Sequence, residues 1–200
     1  MNGFKIFPLA SFLLLIILIY GRVVILKRKG VKVSSGSDKK GKTSVFLFPV
    51  FFLILLLWVW EIAKPVFQTS VSILPESITH HLIESVFLKI AGLLVISISL
   101  VLLALTLFHF KNSLRLGMDD ENRGKLITTG VFSLSRNPFF LSLDLYFLGI
   151  AVLLPNLFFI GFAVLALVGI HFFILKEEKF MQKNYGTEYL SYARKVRRYL

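Results

Sequence analysis

The spacing of apolar residues constrains this chain more than any other feature. Five apolar blocks run through it, at about Phe4–Leu26, Ser44–Ala63, Phe87–Phe110, Phe139–Leu154 and Leu157–Leu175. Crossing roughly 30 Å of hydrocarbon takes about 20 helical residues, and the fourth block alone is clearly shorter. A backbone inside lipid must satisfy its own N–H and C=O groups, so blocks of this kind read as helices. The expected fold is all-α: a polytopic membrane protein with about five transmembrane helices and a single membrane domain, 1–200. Its N-terminal part, 1–110, carries three helices. Its C-terminal part, 111–200, carries a hairpin closed by Pro155-Asn156. The Trp58/Trp60 pair, near the end of the second block, is expected at a membrane interface.

Composition excludes the main alternatives. Apolar residues make up 56% of the 200 positions and charged residues only 17%, too little polar surface to keep a soluble domain of this size dispersed. The chain has no cysteine, which removes disulfides, thiolate metal sites and cysteine nucleophiles. No zinc-ligand spacing, glycine-rich phosphate loop or charge-lined span is present. The first apolar block is too long for a signal-peptide core and lacks a small-residue cleavage site, so it reads as a retained helix.

A net charge of +12 would suggest nucleic acid on a soluble protein, but the placement of the cations points to the membrane instead. Of the 23 lysines and arginines, 20 lie at the end of block one or in the loop after it, in the loop after block three, or in the C-terminal tail; only Lys5, Lys64 and Lys89 lie elsewhere. The positive-inside rule then puts the N-terminus outside and the C-terminus in the cytosol, as five crossings require. The expected location is a bacterial inner membrane, with the basic side against an anionic cytoplasmic leaflet and no nucleic-acid partner. The Ser-, Gly- and Lys-rich run from Val33 to Thr43 reads as a linker.

Polar signals cluster on the cytosolic side of the C-terminal half. Gly130 suits a backbone turn that other residues resist, and Pro138 suits the first turn of a helix. Asn137 is then placed to cap that helix, whose free N–H groups can hold a carboxylate or phosphate. Arg136 offers a positive fork to the same anion. The alternative is a capped helix start with a snorkelling arginine. Glu177 and Glu178 stand together where the last apolar block ends. Carboxylates at a helix C-terminus oppose the macrodipole, so the pair could hold ribose hydroxyls or an amino group, or could be solvated charges. His171 shares a helix face with Glu178. Asp144 lies inside the fourth block, where a carboxylate is costly. It reads either as functional or as a hydrogen-bond partner for a neighbouring helix. His109, at the inner end of the third block, is a weaker candidate of the same type. The tail alternates aromatic and basic residues, from Tyr185 to Tyr199, and suits an interfacial helix or a lid.

The stretches SLRLGMDDENRGKLITTGVFSLSRNPFF and HFFILKEEKFMQKNYGTEYLSYARKVRRYL, separated by a helical hairpin, resemble the isoprenylcysteine carboxyl methyltransferase superfamily, which includes phospholipid N-methyltransferases. The resemblance covers about Asn112 to Leu200. It implies S-adenosylmethionine bound in a cytosolic pocket, wrapped by Lys125, Leu126, Ile127, Gly130, Val131, Phe132, Arg136, Asn137 and Pro138, with Glu177 and Glu178 on its polar groups. Asn137 stands where the carboxyl methyltransferases have His, Phe132 and Phe140 where Tyr is usual, and Ser142 near a common Gly.

The expected function is transfer of a methyl group to a lipophilic or lipidated substrate at the cytosolic membrane face. Arg136, Asn137 and Asp144 are the candidate catalytic residues, and no metal is expected. A carboxylate acceptor needs no base, whereas an amine acceptor does, with Asp144, His109 and Glu178 as candidates. A sterol-reductase-like enzyme using a nicotinamide cofactor and a non-enzymatic scaffold of the same fold are the alternatives.

Overall fold

The computed structural model describes residues 3–30, 42–110 and 126–200. Helix α1 spans Gly3–Arg28, α2 Lys42–Phe67, α3 (a single turn) Glu76–Thr79, α4 Val86–His109, α5 Pro138–Leu153 and α6 Leu157–Lys195. A 3-10 turn at Gly130–Ser133 precedes α5. Lys125, Lys32 to Gly41 of the basic loop, and the basic residues from Lys111 to Arg123 lie outside the described residues.

The architecture is the expected one, an all-helical polytopic membrane protein. Helices α1, α4, α6 and residues Pro49–Phe67 of α2 are each long and apolar enough to cross a bilayer. Helix α5 has 16 residues and so extends only about 24 Å, less than the hydrocarbon thickness. Large apolar side chains stay exposed along the long helices, among them Ile17, Phe87, Val101 and Phe108. Such a surface suits lipid and is disfavoured in water.

Tight packing fixes α5 against α4. A Cβ added at Gly149 would come within 3.0 Å of the Ile96 backbone nitrogen, and one at Gly92 within 2.6 Å of the Leu153 backbone. Small residues let two backbones approach this closely, which is the main source of helix association in lipid. Beyond these contacts, toward the start of α5, Ser99 donates its hydroxyl to the Ser142 carbonyl at 2.7 Å. The α5–α6 connection is as short as the sequence implies. The Asn156 side chain accepts from the Phe159 backbone N–H at 2.8 Å and so caps α6.

Two expectations are corrected. Trp58 is not at an interface but at the centre of the bundle, 1% exposed. Its ring lies 5.4–6.2 Å from those of Phe12, Tyr146, Phe147, Phe159 and Phe162. These aromatic contacts join α1, α2, α5 and α6, and burial of so large a side chain outweighs its interfacial preference. The last helix does not end near Leu175. It runs on in helical geometry to the break at Gly186 and resumes to Lys195; the part before the break alone, about 44 Å long, exceeds the hydrocarbon thickness. The residues after Leu175 are polar but good helix formers, and they carry the helix on out of the apolar region. Gly186, at φ 53 and ψ −125, breaks its regularity near the end.

Candidate functional site

Three stretches meet at the N-terminal end of α5: the turn through Gly130–Asn137, the acidic pair on α6, and the tail after α6. Gly130 has φ +66, and a Cβ built on it would collide with the His109 ring. Glycine is therefore needed twice, for the left-handed backbone and for the close approach of α4. His109 itself bonds the Leu105 carbonyl through Nδ1 at 2.7 Å. The turn that follows buries Val131 and Phe132, with Phe132 against Phe110 at 5.0 Å. Tyr192 donates to the Phe132 carbonyl at 2.6 Å, which ties the turn to the end of α6. Leu126 and Ile127 are half-buried at the start of this segment.

Arg136, Asn137 and Glu178 converge. The Arg136 guanidinium lies 2.9 Å from Glu178 Oε1, with both side chains 13% exposed. Asn137 donates to the same oxygen at 3.3 Å. Arg198, from the tail, reaches Glu178 Oε2 with two donors, at 2.8 and 3.1 Å. One carboxylate thus sits between two guanidinium groups. Burial alone would raise the Glu178 carboxyl. The Arg198 hydrogen bond, the charges of Arg136 and Arg198, and the Asn137 amide outweigh it and hold Glu178 below the usual carboxylate value.

The tail is a strap across this cluster. The Arg136 backbone N–H donates to the Arg197 carbonyl at 3.0 Å, and Arg136 Nη1 to the Ala193 carbonyl at 3.0 Å. Ser135 Oγ and Asn137 Nδ2 each donate to the Arg198 carbonyl, at 3.2 Å. The tail is helical as far as Lys195, and its last residues pack against this cluster.

The geometry also differs from the sequence reading at several residues. Asn137 does occupy the N-cap position and Pro138 the first helical turn, but the Asn137 side chain makes no cap hydrogen bond; its amide is used on Glu178 and the tail. Glu177 and Glu178 are not in the last turn of a helix, because α6 runs on for about two turns past Glu178 before its break at Gly186, and the macrodipole effect falls off within the last turn. Arg136 is engaged with Glu178 and does not stand open as an anion fork. Its Nε is buried without a hydrogen-bond partner.

Glu177 differs from its neighbour. It is half-buried, and burial first, then the adjacent Glu178 charge, push its carboxyl up to about 7. Asp144 lies six residues into α5, 4% exposed, and its Oδ1 has no hydrogen-bond partner. His171 is held by Tyr199, through Nδ1 to the phenol oxygen at 2.7 Å. Sequence reasoning named neither Arg198 nor Tyr199 as site residues; the Arg-rich, Tyr-rich composition of the tail was the available signal.

A cavity of about 410 Å³ lies at the other end of the bundle, lined by Lys64, Ser72, Glu76, Thr79, His80, His81 and Glu84. It adjoins the α5–α6 connection, where Leu82 donates to the Pro155 carbonyl. The Arg136–Glu178 cluster is at the opposite end of α5. No group of three or more metal-ligating side chains occurs among the described residues.

The candidate residues fit a small zwitterionic cofactor. An orphaned guanidinium nitrogen at Arg136 and a carboxyl at Glu177 with no partner among the described residues supply one cationic and one acidic contact. Residues 87–188 match the family model described as phospholipid methyltransferase. The matched stretch contains Arg136, Asn137, Asp144, His171, Glu177 and Glu178, and ends before Arg198 and Tyr199. No curated protein matches the sequence. The chain belongs to the phospholipid methyltransferase family, a group of membrane methyltransferases.

Proposed function

We propose that the protein transfers a methyl group from S-adenosylmethionine to a lipophilic acceptor at the cytosolic face of the membrane. The observation that carries this is the meeting of Arg136, Asn137 and Glu178 around one point, with Glu177 beside it. When bound, the cofactor would supply an electrophilic methyl on a sulfonium. Arg136 Nε suits its carboxylate, and Glu177 suits its ammonium or ribose hydroxyls. The Gly130–Phe132 turn, with Leu126 and Ile127, would give the apolar wall.

The protein's part in the reaction is positioning and exclusion of water. Holding donor and acceptor in line is worth roughly 7–11 kcal/mol of the barrier; an ionised carboxylate needs little more than alignment, whereas an amine must also lose a proton. Helix α5 is shorter than the bilayer core, which supports lateral approach of an acceptor whose chains stay in lipid. The cation distribution supports an N-terminus-out orientation, with this end in the cytosol.

The test uses purified protein in phospholipid nanodiscs with methyl-labelled S-adenosylmethionine. Label recovered in the organic extract supports the assignment. Label that stays in the aqueous phase, with the cofactor bound and intact, contradicts it.

A further inference from the structure

We propose that residues Thr187 to Leu200 form a hinged lid, pivoting on Gly186 and latched by Arg198 on Glu178, and that its opening lets the small charged ligand of the site enter and leave. The hinge rests on geometry alone. The identity of the ligand rests on the methyl-transfer reading above.

The position of the pivot follows from lengths. Glu178 and Lys195 are 17 residues apart, about 26 Å along a continuous helix. The three residues from Lys195 to Arg198 span about 11 Å at most, even fully extended. A straight α6 would therefore hold the Arg198 backbone about 15 Å or more from that of Glu178. Instead the Arg198 guanidinium lies 2.8 Å from Glu178 Oε2. The Arg197 carbonyl also accepts from the backbone N–H of Arg136, the other cation on Glu178. The chain must fold back before Lys195, and the non-helical residue inside α6 is Gly186, eight residues past Glu178.

This pivot has two settings. Gly186 has φ 53 and ψ −125, and glycine reaches positive and helical φ with similar ease. A Cβ at Gly186 would meet nothing within 4 Å, so packing does not demand glycine there; the reversal does. The residues on either side are helical. A helical Gly186 would make α6 continuous and carry the lid off the site. What holds the lid down lies on the site itself. Tyr192 donates to the Phe132 carbonyl, and the Ala193 carbonyl accepts from Arg136. The Arg198 carbonyl accepts from Ser135 and Asn137. These partners all belong to the turn before α5, so the lid covers that turn and Glu178 together. The Arg198 side chain, 35% exposed, is the part of the latch that salt can screen. Closure over a bound ligand excludes water and delays release.

The chain has no cysteine, so paired cysteines can be spin-labelled without further change. Leu134 in the turn, Gln182 before the pivot and Leu200 beyond it are all exposed. In nanodiscs, the Leu134→Cys/Leu200→Cys pair is expected to show a major short distance and a minor one longer by about 10 Å or more. The minor population should grow about tenfold in Gly186→Ala, the usual effect of forcing positive φ on a non-glycine residue. It should also grow in Arg198→Ala and at high salt. The Leu134→Cys/Gln182→Cys pair should keep one distance throughout. S-adenosylhomocysteine should dissociate about tenfold faster from Gly186→Ala than from wild type. A single short distance in wild type and in both variants overturns the lid. A second distance in the Gln182 pair overturns the pivot at Gly186. Unchanged dissociation from an opened Gly186→Ala overturns the gating and leaves the methyltransferase reading intact. No binding by wild type overturns that reading and the gating with it, while the distances still decide the hinge.

Discussion

Arg136 and Glu178, 41 residues apart in sequence, form an ion pair at 2.9 Å where α5 begins. The pair joins the turn before one helix to the middle of the next, and Arg198 closes it from the tail. Glu178→Ala removes the acceptor for three side chains at once and leaves Arg136, 13% exposed, without its counter-charge. Loss of one partner from such a pair typically costs roughly 3–5 kcal/mol. A large drop in thermal midpoint in detergent is expected, together with proteolysis of the tail after Lys195. Arg198→Ala leaves the Arg136 contact in place and is expected to lower the midpoint by less.

The two adjacent glutamates respond to pH in opposite senses. Glu177 has its folded value raised to about 7 from 4.5. Its contribution to stability is fully present below pH 4.5 and is lost as pH rises through about 7. Glu178 has its folded value lowered, so its contribution is present above the ordinary carboxylate value and lost as pH falls through the lowered one. Midpoints measured from pH 5 to 8 should therefore fall more steeply in wild type than in Glu177→Gln. A cationic ligand on Glu177 should also release protons near pH 6.5, which calorimetry in buffers of different ionisation enthalpy reads directly.

Gly130 answers to two constraints that can be separated. Gly130→Ala meets both the positive φ and the His109 ring. A left-handed non-glycine residue alone costs about 1–2 kcal/mol, and the collision adds to it. The double variant His109→Ala/Gly130→Ala should recover the steric part and leave the backbone part. Midpoints of the two single variants and the double variant, compared as a cycle, check this.

Trp58 holds four helices through its ring contacts. Trp58→Ala in a core of this kind costs roughly 3–5 kcal/mol, while Trp58→Phe should cost much less. Had Trp58 lain at the interface, both would be nearly silent in unfolding measurements.

The membrane architecture was legible because apolar block length is a direct physical requirement of the bilayer. The junction of Arg136 with Glu178 was foreseeable because a three-residue connection, Leu154–Asn156, forces α5 and α6 to run back along each other. What the sequence could not show is where α6 stops. Lys176 to Lys195 is polar, and hydropathy sees the end of the apolar run, not the end of the helix. That error moved Glu177 and Glu178 to a helix terminus they do not occupy. Trp58 misled for a related reason, since tryptophan suits an interface and a core alike and its neighbours in space come from three other helices. Arg198 and Tyr199 were hidden in a basic tail whose composition fits a lipid surface equally well; only the chain path past Lys195 turns them onto Glu178 and His171.

The most direct measurement of the central claim is calorimetric titration of the purified protein with S-adenosylhomocysteine, beside NADPH as a control. The account predicts binding of the first and none of the second. It also predicts that Glu177→Gln weakens that binding by roughly 10–100-fold, as loss of one charge-assisted contact implies. Equal binding by wild type and by the Glu177→Gln/Glu178→Gln double variant, or no binding by wild type, would contradict it.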